Sequence, residues 1–522
     1  MIRATKSGWR FASALLVLLV TACAPATTPH VVEGPPFATE AATETFAAGF
    51  SNIAEKYIEP VDVGTVAVNG LRGLGSIDPA LSVDRRGGTV VLAAANEPVA
   101  RFTAPADDDV NGWAKLAVEV SVAGSRASRD LRDAGVERLY EAVFDGVLSN
   151  LDIFSRYAGL EEARRQRAKR EGFGGIGIRF SLRSNVIRVV SVMPRTPAAR
   201  TGLRKSDHIT HIDGIPTRDM KKQEVVANLR GPVRTKVVLT VSRSGVADPM
   251  RFEIEREHIV PTSVTTFDKD GVVFIKVTGF NRETARSMAA KLKAARRKLG
   301  KKMKGVTIDL RGNPGGLLKQ SIKMADLFLA QGEILRTKGR HPDSVQYYEA
   351  SGGDLAFGLP VIVLIDGKSA SAAEIVAAAL QDRGRAVIIG TTSFGKGTVQ
   401  TVIRLPNDGE ITLTWSRFIT PAGYALHRLG VRPTICTSGT EEKAADIIAA
   451  TFAERVTTTN ALTAWRKIGP YDETQRRDLR ATCPAERRRL NHEVEVARRL
   501  LADRALYSRA LDLLTATTAE RN

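Results

Sequence analysis

The spacing of hydrophobic and polar residues changes along the chain, and each change of period marks a new segment. Over 46–170, apolar residues recur three and four apart, as in "LRDAGVERLYEAVFDGVLSNL", which predicts helices around a short strand-like section. Over 171–258, β-branched runs such as "VIRVVSVM" and "KVVLTVSR" predict a β-rich module with one longer helix. These patterns indicate a mixed helical N-terminal domain followed by a compact β unit.

From residue 259 to 437, strand-like and helix-like runs alternate, beginning with "GVVFIKV" and including "RAVIIG". That alternation predicts a mostly parallel sheet with crossover helices, which is an α/β core. Residues 438–522 have a helical pattern and many charges, so we expect a helical C-terminal extension. The pattern gives no role to this extension or to the section 76–125.

The first residues have the layout of a secretory signal. Arg3, Lys6 and Arg10 accompany an apolar run of ten residues, "FASALLVLLV", which is too short to span a bilayer. The run leads into "VTAC", which resembles the lipobox of bacterial lipoproteins, where the cysteine thiol takes a diacylglycerol. The lipidated residue would be Cys23. A plain signal peptide with a chance cysteine is the alternative.

The lipoprotein interpretation makes 1–22 a signal peptide and 23–45, rich in Pro, Ala and Thr, an extended tether. A multiply acylated Cys23 would hold the protein on a membrane. Ala24 follows it, and not the Asp that retains such proteins at the inner membrane, so the resemblance implies the periplasmic face of the outer membrane. We therefore expect a lipid-anchored protein of the bacterial periplasm.

Three cysteines are present in the whole sequence. With Cys23 lipidated, Cys436 and Cys483 remain as an even pair in an oxidising compartment, so they are candidates for a disulfide. Two buried free thiols are the alternative.

The formal net charge of +19 suits anionic lipid, acidic polymers or nucleic acid as partners. The cations are spread through helices, however, and are not gathered into one arm. No zinc-knuckle or helix-turn-helix pattern accompanies them, so we do not expect a nucleic-acid partner. The highly charged run "EEARRQRAKRE" is most simply a solvated helix face that leads into the β module.

Two glycine-rich stretches match nucleotide-binding patterns in letters but not in context. "GFGGIG" at 172–177 fits G-x-G-x-x-G, but a strand follows it where a dinucleotide site needs a helix. "GTTSFGKG" at 390–397 nearly fits the phosphate loop, but Gly397 replaces the magnesium-binding Ser/Thr and a β-branched run follows. We therefore expect no nucleotide, no metal and no other cofactor.

Acyl chemistry suits the second stretch better, when it is taken together with the serine-containing segment before it. Ser371 precedes the helix-like "AAEIVAAALQD", where free backbone N–H groups can stabilise an oxyanion. Its hydroxyl needs a base. None of the seven histidines lies in a glycine-framed turn of the α/β segment, and His427, which comes closest, has the setting of a surface turn.

Lys396, in "SFGKG", does lie in such a turn, and burial can lower the pKa of a lysine far enough to make it a base. Gln400, four residues further along a strand, would share its face and could orient it. A helix-capping Ser371 and a solvated turn lysine are the alternative on spacing alone.

Three blocks of the chain resemble, in order and spacing, the C-terminal processing, or tail-specific, serine proteases. The blocks are "DLRGNPGG" (309–316), "SASAAE" (369–374) and "SFGKGTVQ" (393–400). The resemblance covers roughly residues 46–437, and the β module inserted before the blocks resembles a PDZ domain. One departure is Thr434 in "GVRPT", where the family usually has an acidic residue.

The resemblance implies roles by position. Ser371 matches the family's nucleophile, Lys396 its general base, and Gln400 the residue that positions the lysine. The backbone N–H groups of Ala372 and of a glycine in "NPGG", taken as Gly315, would form the oxyanion hole. The α/β core would then have the crotonase-like fold.

The PDZ resemblance makes "GGIG" a peptide-binding loop. The consecutive amides of Ile176, Gly177 and Ile178 would bind a C-terminal carboxylate, and the peptide would add a strand beside the sheet. Arg230, just past the module's helix, would couple an occupied PDZ domain to the active site. Four apolar residues would form the pocket for the last side chain of the tail: Ile176, Ile178, Val226 and Leu229. Ordinary core packing is the alternative for these four.

The sequence therefore predicts an α/β and β multidomain protein with a helical N-terminal domain, a PDZ-like module, a crotonase-like serine protease core and a helical C-terminal tail. Its predicted function is that of an endopeptidase that captures free, apolar C-termini of proteins and cleaves through a Ser/Lys dyad and an acyl-enzyme. The other expected partners are a membrane, through the lipid anchor, and an adaptor protein or a second copy of the chain. The alternative is a catalytically latent PDZ scaffold that needs a partner for activation.

Overall fold

The computed structural model describes residues 38–469, 472–487 and 491–515. The signal peptide expected over 1–22 and the lipidated Cys23 lie outside these residues. Within the described ranges, no helix combines the length and the hydropathy needed to cross a bilayer. The described chain forms four units that follow the order of the sequence.

The N-terminal unit combines helices with a small antiparallel sheet. α1 begins at Thr39, inside the tether expected over 23–45, because Ala42 and Thr45 already belong to its buried face. The sheet and the helix after it occupy most of the section 76–125 that the sequence pattern left unplaced. The elements are α1 (Thr39–Lys56), α2 (Val63–Arg72), β1 (Leu81–Arg86), β2 (Thr89–Ala94), β3 (Glu97–Thr103), α3 (Val110–Ala127), α4 (Arg129–Asp133), α5 (Gly135–Leu148), β4 (Arg156–Ala158) and α6 (Leu160–Arg170).

The PDZ-like module follows. Its main sheet has the order β11-β10-β8-β7-β6, so β6 forms one end of that sheet. β5, at the start of the module, pairs antiparallel with β12, at its end. The two ends of the module are therefore neighbours, as expected for an inserted domain. The elements are β5 (Phe173–Gly175), β6 (Ile178–Arg183), β7 (Val186–Val192), α7 (Pro197–Arg200), β8 (His208–Ile212), β9 (Ile215–Pro216), α8 (Lys222–Leu229), β10 (Lys236–Ser242), β11 (Met250–Glu255) and β12 (Glu257–Ile259).

The α/β core contains two sheets. In the first, β14, β15, β18, β19 and β22 are parallel in that order, and β13 adds one antiparallel edge. The second has the order β17-β16-β21-β20. The elements are β13 (Val264–Lys269), β14 (Val272–Val277), α9 (Thr284–Leu299), β15 (Gly305–Asp309), α10 (Leu318–Asp326), β16 (Glu333–Gly339), β17 (Gln346–Glu349), β18 (Val361–Ile365), α11 (Ala372–Asp382), β19 (Val387–Gly390), β20 (Thr398–Arg404), β21 (Glu410–Ile419) and β22 (Ile435–Cys436).

The N-terminal unit is joined to this core through β4, which pairs antiparallel with β21. Next to this pairing, Arg167 and Arg170 of α6 both bind the buried carboxylate of Glu410, at 2.9 and 2.8 Å. These contacts fix α6 against the second sheet of the core. Three apolar residues of the core complete the hydrophobic interior of the N-terminal unit: Leu405, Ile411 and Leu413.

The C-terminal extension is a second layer on the parallel sheet. Ile447 and Leu500 pack with Ile362, Leu364 and Ile389 of the sheet, whose opposite face carries the cluster formed with α9, α10 and α11. Burial on both faces explains why these strands are continuous apolar runs with no alternation. The helices are α12 (Ala444–Ala453), α13 (Arg455–Lys467), α14 (Glu473–Ala481), α15 (His492–Ala502) and α16 (Arg504–Thr515).

A disulfide joins Cys436, at the end of β22, to Cys483, which follows α14, with the two Cα atoms 6.0 Å apart. The carbonyl oxygen of Cys483 also accepts a hydrogen bond from Thr392 Oγ1 at 2.6 Å. The extension is therefore linked covalently to the edge strand of the core and by hydrogen bonding to the loop that carries Lys396.

Candidate active site

Ser371 lies at the N-terminus of α11, just after the loop that follows β18. Its φ of +54° falls in the left-handed region, which is uncommon for a residue with a side chain and costs about 1–2 kcal/mol. Such strain persists only where the surrounding contacts hold it, and it clusters at functional sites. Here its backbone N–H donates to Glu374 Oε2 at 2.7 Å.

Gly315 brings the "NPGG" loop against this serine. β15 and β18 are neighbours in the parallel sheet, so the loops at their carboxyl ends meet at one edge. A Cβ atom on Gly315 would lie 2.8 Å from the oxygen of Ala370 and 2.9 Å from Ser371 Cβ, and its φ is +100°. Only glycine fits this close approach.

The two predicted oxyanion donors are in different states. In the described part of the chain, the N–H of Ala372 makes no hydrogen bond. The N–H of Gly315 instead donates to Asn313 Oδ1 at 2.9 Å. Gly316 also lines the cavity, and its N–H has no hydrogen-bond acceptor among the described residues. The sequence analysis did not name Gly316 as an oxyanion donor.

Lys396 lies in the loop between β19 and β20, and its ammonium group loses its proton more readily than that of an ordinary lysine. Its pKa is lowered to about 8, chiefly by burial and also by the nearby Arg156, while Asp152 and Glu374 oppose the shift. The ammonium lies 4.8 Å from the ring centroid of Phe154, a cation–π contact. A sizeable fraction of this lysine is therefore neutral near pH 8.

The lysine and the serine line the same cavity but are not hydrogen-bonded to each other. Among the described residues, no hydrogen bond joins Ser371 Oγ to Lys396 Nζ. The Phe154 ring, which makes the cation–π contact with Lys396, also contacts the His427 ring edge-on, with 5.9 Å between centroids. His427 is thus partly buried beside the lysine, contrary to the expected surface turn, and burial lowers its pKa to about 4.

Glu374 joins the loops that carry Ser371 and Lys396. Its carboxylate is fully buried and accepts from the N–H of Ser371, Gly395 and Lys396, at 2.7, 2.7 and 2.9 Å, and from the hydroxyl of Ser393. Burial raises the pKa of this carboxyl, and the four donors oppose that shift. One side chain therefore holds the backbones of Ser371 and Lys396 on the same oxygen.

Gln400 faces the same cavity as Lys396 but does not bind it in this structure. Its Nε2 donates to Thr398 Oγ1 at 2.8 Å and makes a longer contact to Thr414 Oγ1 at 3.4 Å. β20 begins only at Thr398, and its pairing with β21 shifts register between Val399 and Gln400. The regular two-residue period assumed from the sequence therefore does not hold here.

One cavity of about 540 Å³ brings the core residues of the site together. Its lining includes five residues predicted from the sequence: Gly315, Ser371, Ala372, Lys396 and Gln400. Its other wall was not predicted. The charged run of α6, interpreted as a solvated face, instead lies over this cavity together with β4. Arg156 comes from β4, and α6 contributes Glu162, Arg165, Gln166, Lys169 and Arg170. The four-residue repeat of these side chains was the signal available.

The predicted peptide-binding residues divide between the buried core of the module and its partly exposed surface. Ile176 and Leu229 are buried in the hydrophobic core of the PDZ-like module, as the core-packing alternative states, whereas Ile178 and Val226 are partly exposed. Gly177 has a φ of +85°, with no room for a Cβ beside Thr196. Arg230 stacks on the ring of Phe173, 3.8 Å from its centroid.

Comparison with known proteins agrees with this geometry. The profile of peptidase family S41 matches residues 271–437, and that of the PDZ domain matches residues 174–253. The carboxy-terminal-processing protease of Bartonella bacilliformis is 41% identical over 301 residues, which is 57% of this chain and 69% of that protein.

Two further similarities were found. The carboxy-terminal processing protease CtpA of Bacillus subtilis is 32% identical over 57% of this chain and 64% of that protein. The solved structure of a photosystem II D1 C-terminal processing protease covers 75% of this chain at 20% identity, with a TM-score of 0.38. The resemblance inferred from the three blocks is therefore confirmed, and the chain belongs to peptidase family S41, as a serine-type peptidase with a PDZ domain.

Proposed function

We propose that this protein is a serine endopeptidase that cleaves through Ser371 and Lys396 after its PDZ domain has captured the C-terminal tail of a protein substrate. The observation that carries the proposal is the shared cavity, in which a strained serine at a helix N-terminus meets a lysine whose pKa burial lowers to about 8. No histidine lines that cavity.

The chemistry would proceed in two halves. Neutral Lys396 Nζ accepts the proton of Ser371 Oγ as that oxygen attacks the scissile carbonyl carbon, and the lysine then gives the proton to the leaving amine as the C–N bond breaks. In the second half, Lys396 takes a proton from water, whose oxygen attacks the acyl-enzyme. Proton transfer to the Ser371 oxygen then releases the acid.

The oxyanion that forms in each half needs two donors. The unpaired N–H of Ala372 provides the first. For the second, Gly315 must release Asn313 Oδ1, or Gly316 must take its place, since Gly316 lines the same cavity and its N–H has no acceptor among the described residues. Either donor lies on the loop that Gly315 presses against Ser371.

Tail capture rests on the exposed edge of the PDZ-like sheet. β6 ends that sheet and has no strand partner on its outer side within the described chain, so an extended peptide can pair with it. The partly exposed Ile178 and Val226 favour an apolar last residue. Arg230 follows α8 and stacks on Phe173 of β5, the first strand of the module. Through this contact, Arg230 would couple peptide binding by the PDZ domain to the active site.

One observation favours a second candidate function. Lys396 rests on Phe154 and makes no hydrogen bond to Ser371 in the described structure. A PDZ scaffold that is catalytically latent, and that an adaptor or a second copy activates, would have such a resting site. The two candidates differ in the activity of the free chain.

The deciding experiment uses the soluble chain from Thr27. It is mixed with an unfolded reporter that ends in apolar residues, beside a Ser371→Ala variant and a reporter with a blocked C-terminus. Cleavage by wild type alone, lost when the tail is blocked, supports both the nucleophile and tail capture. Binding of the open tail without cleavage supports the latent scaffold, and cleavage by the Ser371→Ala variant refutes the mechanism.

We also propose that Cys23 carries a lipid anchor at the outer membrane of a bacterial periplasm. The proposal is supported by the "VTAC" motif and by the Cys436–Cys483 disulfide, which suits an oxidising compartment. Mass spectrometry of the N-terminal peptide of the processed protein tests it. An unmodified Cys23, or an N-terminus upstream of it, would contradict the anchor.

The pH dependence of cleavage should follow Lys396. Only the neutral amine is a base, so kcat/KM is expected to rise about tenfold per pH unit up to pH 8 and to level off above it. Arg156→Gln removes a cation that disfavours the ammonium, so the pKa of Lys396 rises. The acid limb then moves to higher pH, and activity at pH 7 falls.

The matched control for this profile is Arg164→Gln, which removes a cation from α6 that does not line the cavity and pairs with Glu161 instead. Its profile should overlay that of wild type. A limb that stays in place in Arg156→Gln, or that moves to lower pH, would show that Arg156 does not act on the base.

A further inference from the structure

The wall of the catalytic cavity opposite Ser371 is cationic. Arg156 comes from β4, and Arg165 and Lys169 come from α6, where their four-residue spacing puts them on the same face. All three side chains are exposed and line the cavity that holds Ser371 and Lys396. A peptide that reaches the serine must pass beside them.

The remaining basic side chains of α6 have partners among the described residues, whereas the three wall cations do not. Arg167 and Arg170 bind the buried Glu410, which fixes the helix to the core. Arg164 pairs with Glu161 at 3.4 Å. By contrast, the side chains of the three wall cations make no ion pair or hydrogen bond with any described residue. Structural pairing therefore accounts for Arg164, Arg167 and Arg170, but not for Arg165 and Lys169.

Little negative charge in the cavity offsets them. Among the described residues that line the cavity, Glu162 is the only carboxylate, and it already accepts a hydrogen bond from Gln166 at 2.8 Å. Lys396 adds further positive charge whenever it is protonated. A cleft lined by one sign of charge concentrates ligands of the opposite sign, and the effect weakens as salt is added.

We propose that this wall makes the enzyme select polypeptides with acidic side chains close to the scissile bond. The inference rests on the proposed function, since it names the substrate class of the same site. It concerns the segment that is cut and is independent of the apolar tail that the PDZ domain captures. Arg165 and Lys169 are the specificity-determining residues, because they lie in the cavity without partners of their own.

Size and sign of the effect follow from exposed ion pairs. One such pair in water changes an equilibrium by about 1.5- to 5-fold, so two pairs are expected to favour an acidic substrate by roughly 2- to 25-fold. The preference should appear in kcat/KM, and it should shrink at high ionic strength. Lysine at the same substrate positions should be disfavoured.

The test compares three unfolded reporters that share one apolar tail and one scissile sequence, and that carry Glu, Gln or Lys within three residues on each side of the bond. Cleavage is measured at pH 9, above the limb set by Lys396, at low salt and in 0.5 M salt. We expect the order Glu, Gln, Lys for wild type at low salt, with the differences largely removed by salt. Equal rates for the three reporters would overturn the inference.

The variant that tests the residues is Arg165→Gln with Lys169→Gln. It should lose the preference for Glu, so that its kcat/KM values for the Glu and Gln reporters become nearly equal. Arg164→Gln, which has the same chemistry on the same helix but away from the cavity, should keep the preference. Thermal unfolding of each variant shows that the fold is retained. A preference that survives in the double variant would also overturn the inference.

Failure of the proposed function gives a different result. If no reporter is cut by wild type, the protease proposal fails for the free chain, and the charge preference is then measured as binding. Fluorescence anisotropy of the three peptides with blocked tails, on the Ser371→Ala protein, should still give the order Glu, Gln, Lys. Equal binding of the three peptides would reject the cationic wall as a specificity element.

Discussion

Lys396→Ala is expected to lower kcat for peptide cleavage by about 10³-fold or more, because the Ser371 hydroxyl then has no base. The fold should be kept, since the lysine ammonium makes no hydrogen bond in the described structure and contributes only its contact with Phe154. Initial rates on an unfolded reporter with a free apolar tail, together with thermal unfolding, measure both effects.

Lys396→Arg is the sharper variant of the same experiment. A guanidinium keeps the positive charge and can stack on Phe154, but it stays protonated throughout the accessible pH range and cannot act as a base. We expect it to be as inactive as the alanine variant. Appreciable activity in either variant would show that another group, such as the neighbouring His427, activates the serine.

Glu374→Gln is expected to give the second large effect, on stability and activity together. Three partners of this buried carboxylate are backbone N–H groups that can only donate, and the fourth is the Ser393 hydroxyl, so the contacts favour the anion. The amide replaces one acceptor oxygen by an NH₂ group, which leaves at least one of these backbone donors without an acceptor. Each buried donor left unsatisfied costs about 1–3 kcal/mol.

The activity of this variant should fall in kcat, with KM little changed, because Ser371 and Lys396 lose the carboxylate that holds both backbones while the PDZ-like module is untouched. The melting temperature should fall by a few degrees, roughly 2–8 °C. Glu161→Gln, which removes an exposed carboxylate from α6, is the control and should alter neither quantity. An unchanged melting temperature in Glu374→Gln would mean that the carboxyl is neutral in the folded protein.

Much of this site could be predicted because the three sequence blocks end at one edge of one sheet. β15, β18 and β19 are adjacent and parallel, so the loops that hold Gly315, Ser371 and Lys396 must converge. The alternation of apolar runs and helices was sufficient to predict that sheet. Family resemblance then supplied the roles that spacing alone left open.

The remaining features depend on contacts between segments that are distant in sequence. Charged residues repeating every four positions predict that α6 has a charged face, but not that Glu410, some 240 residues later, turns this face toward the cavity. The C-terminal helices likewise have apolar stripes, but their spacing does not say which surface they cover. The position of Gln400 was uncertain for a local reason, since the register shift within β20 breaks the two-residue period.

The disulfide has a consequence for the survival of the molecule among other proteases, including copies of itself. Cys436 and Cys483 are 47 residues apart, and the intervening chain carries α12, α13 and α14. A cut anywhere in that loop leaves the two fragments covalently joined, and α15 and α16 stay on the parallel sheet. A nicked enzyme therefore keeps the layer that buries one face of its core for as long as its surroundings remain oxidising.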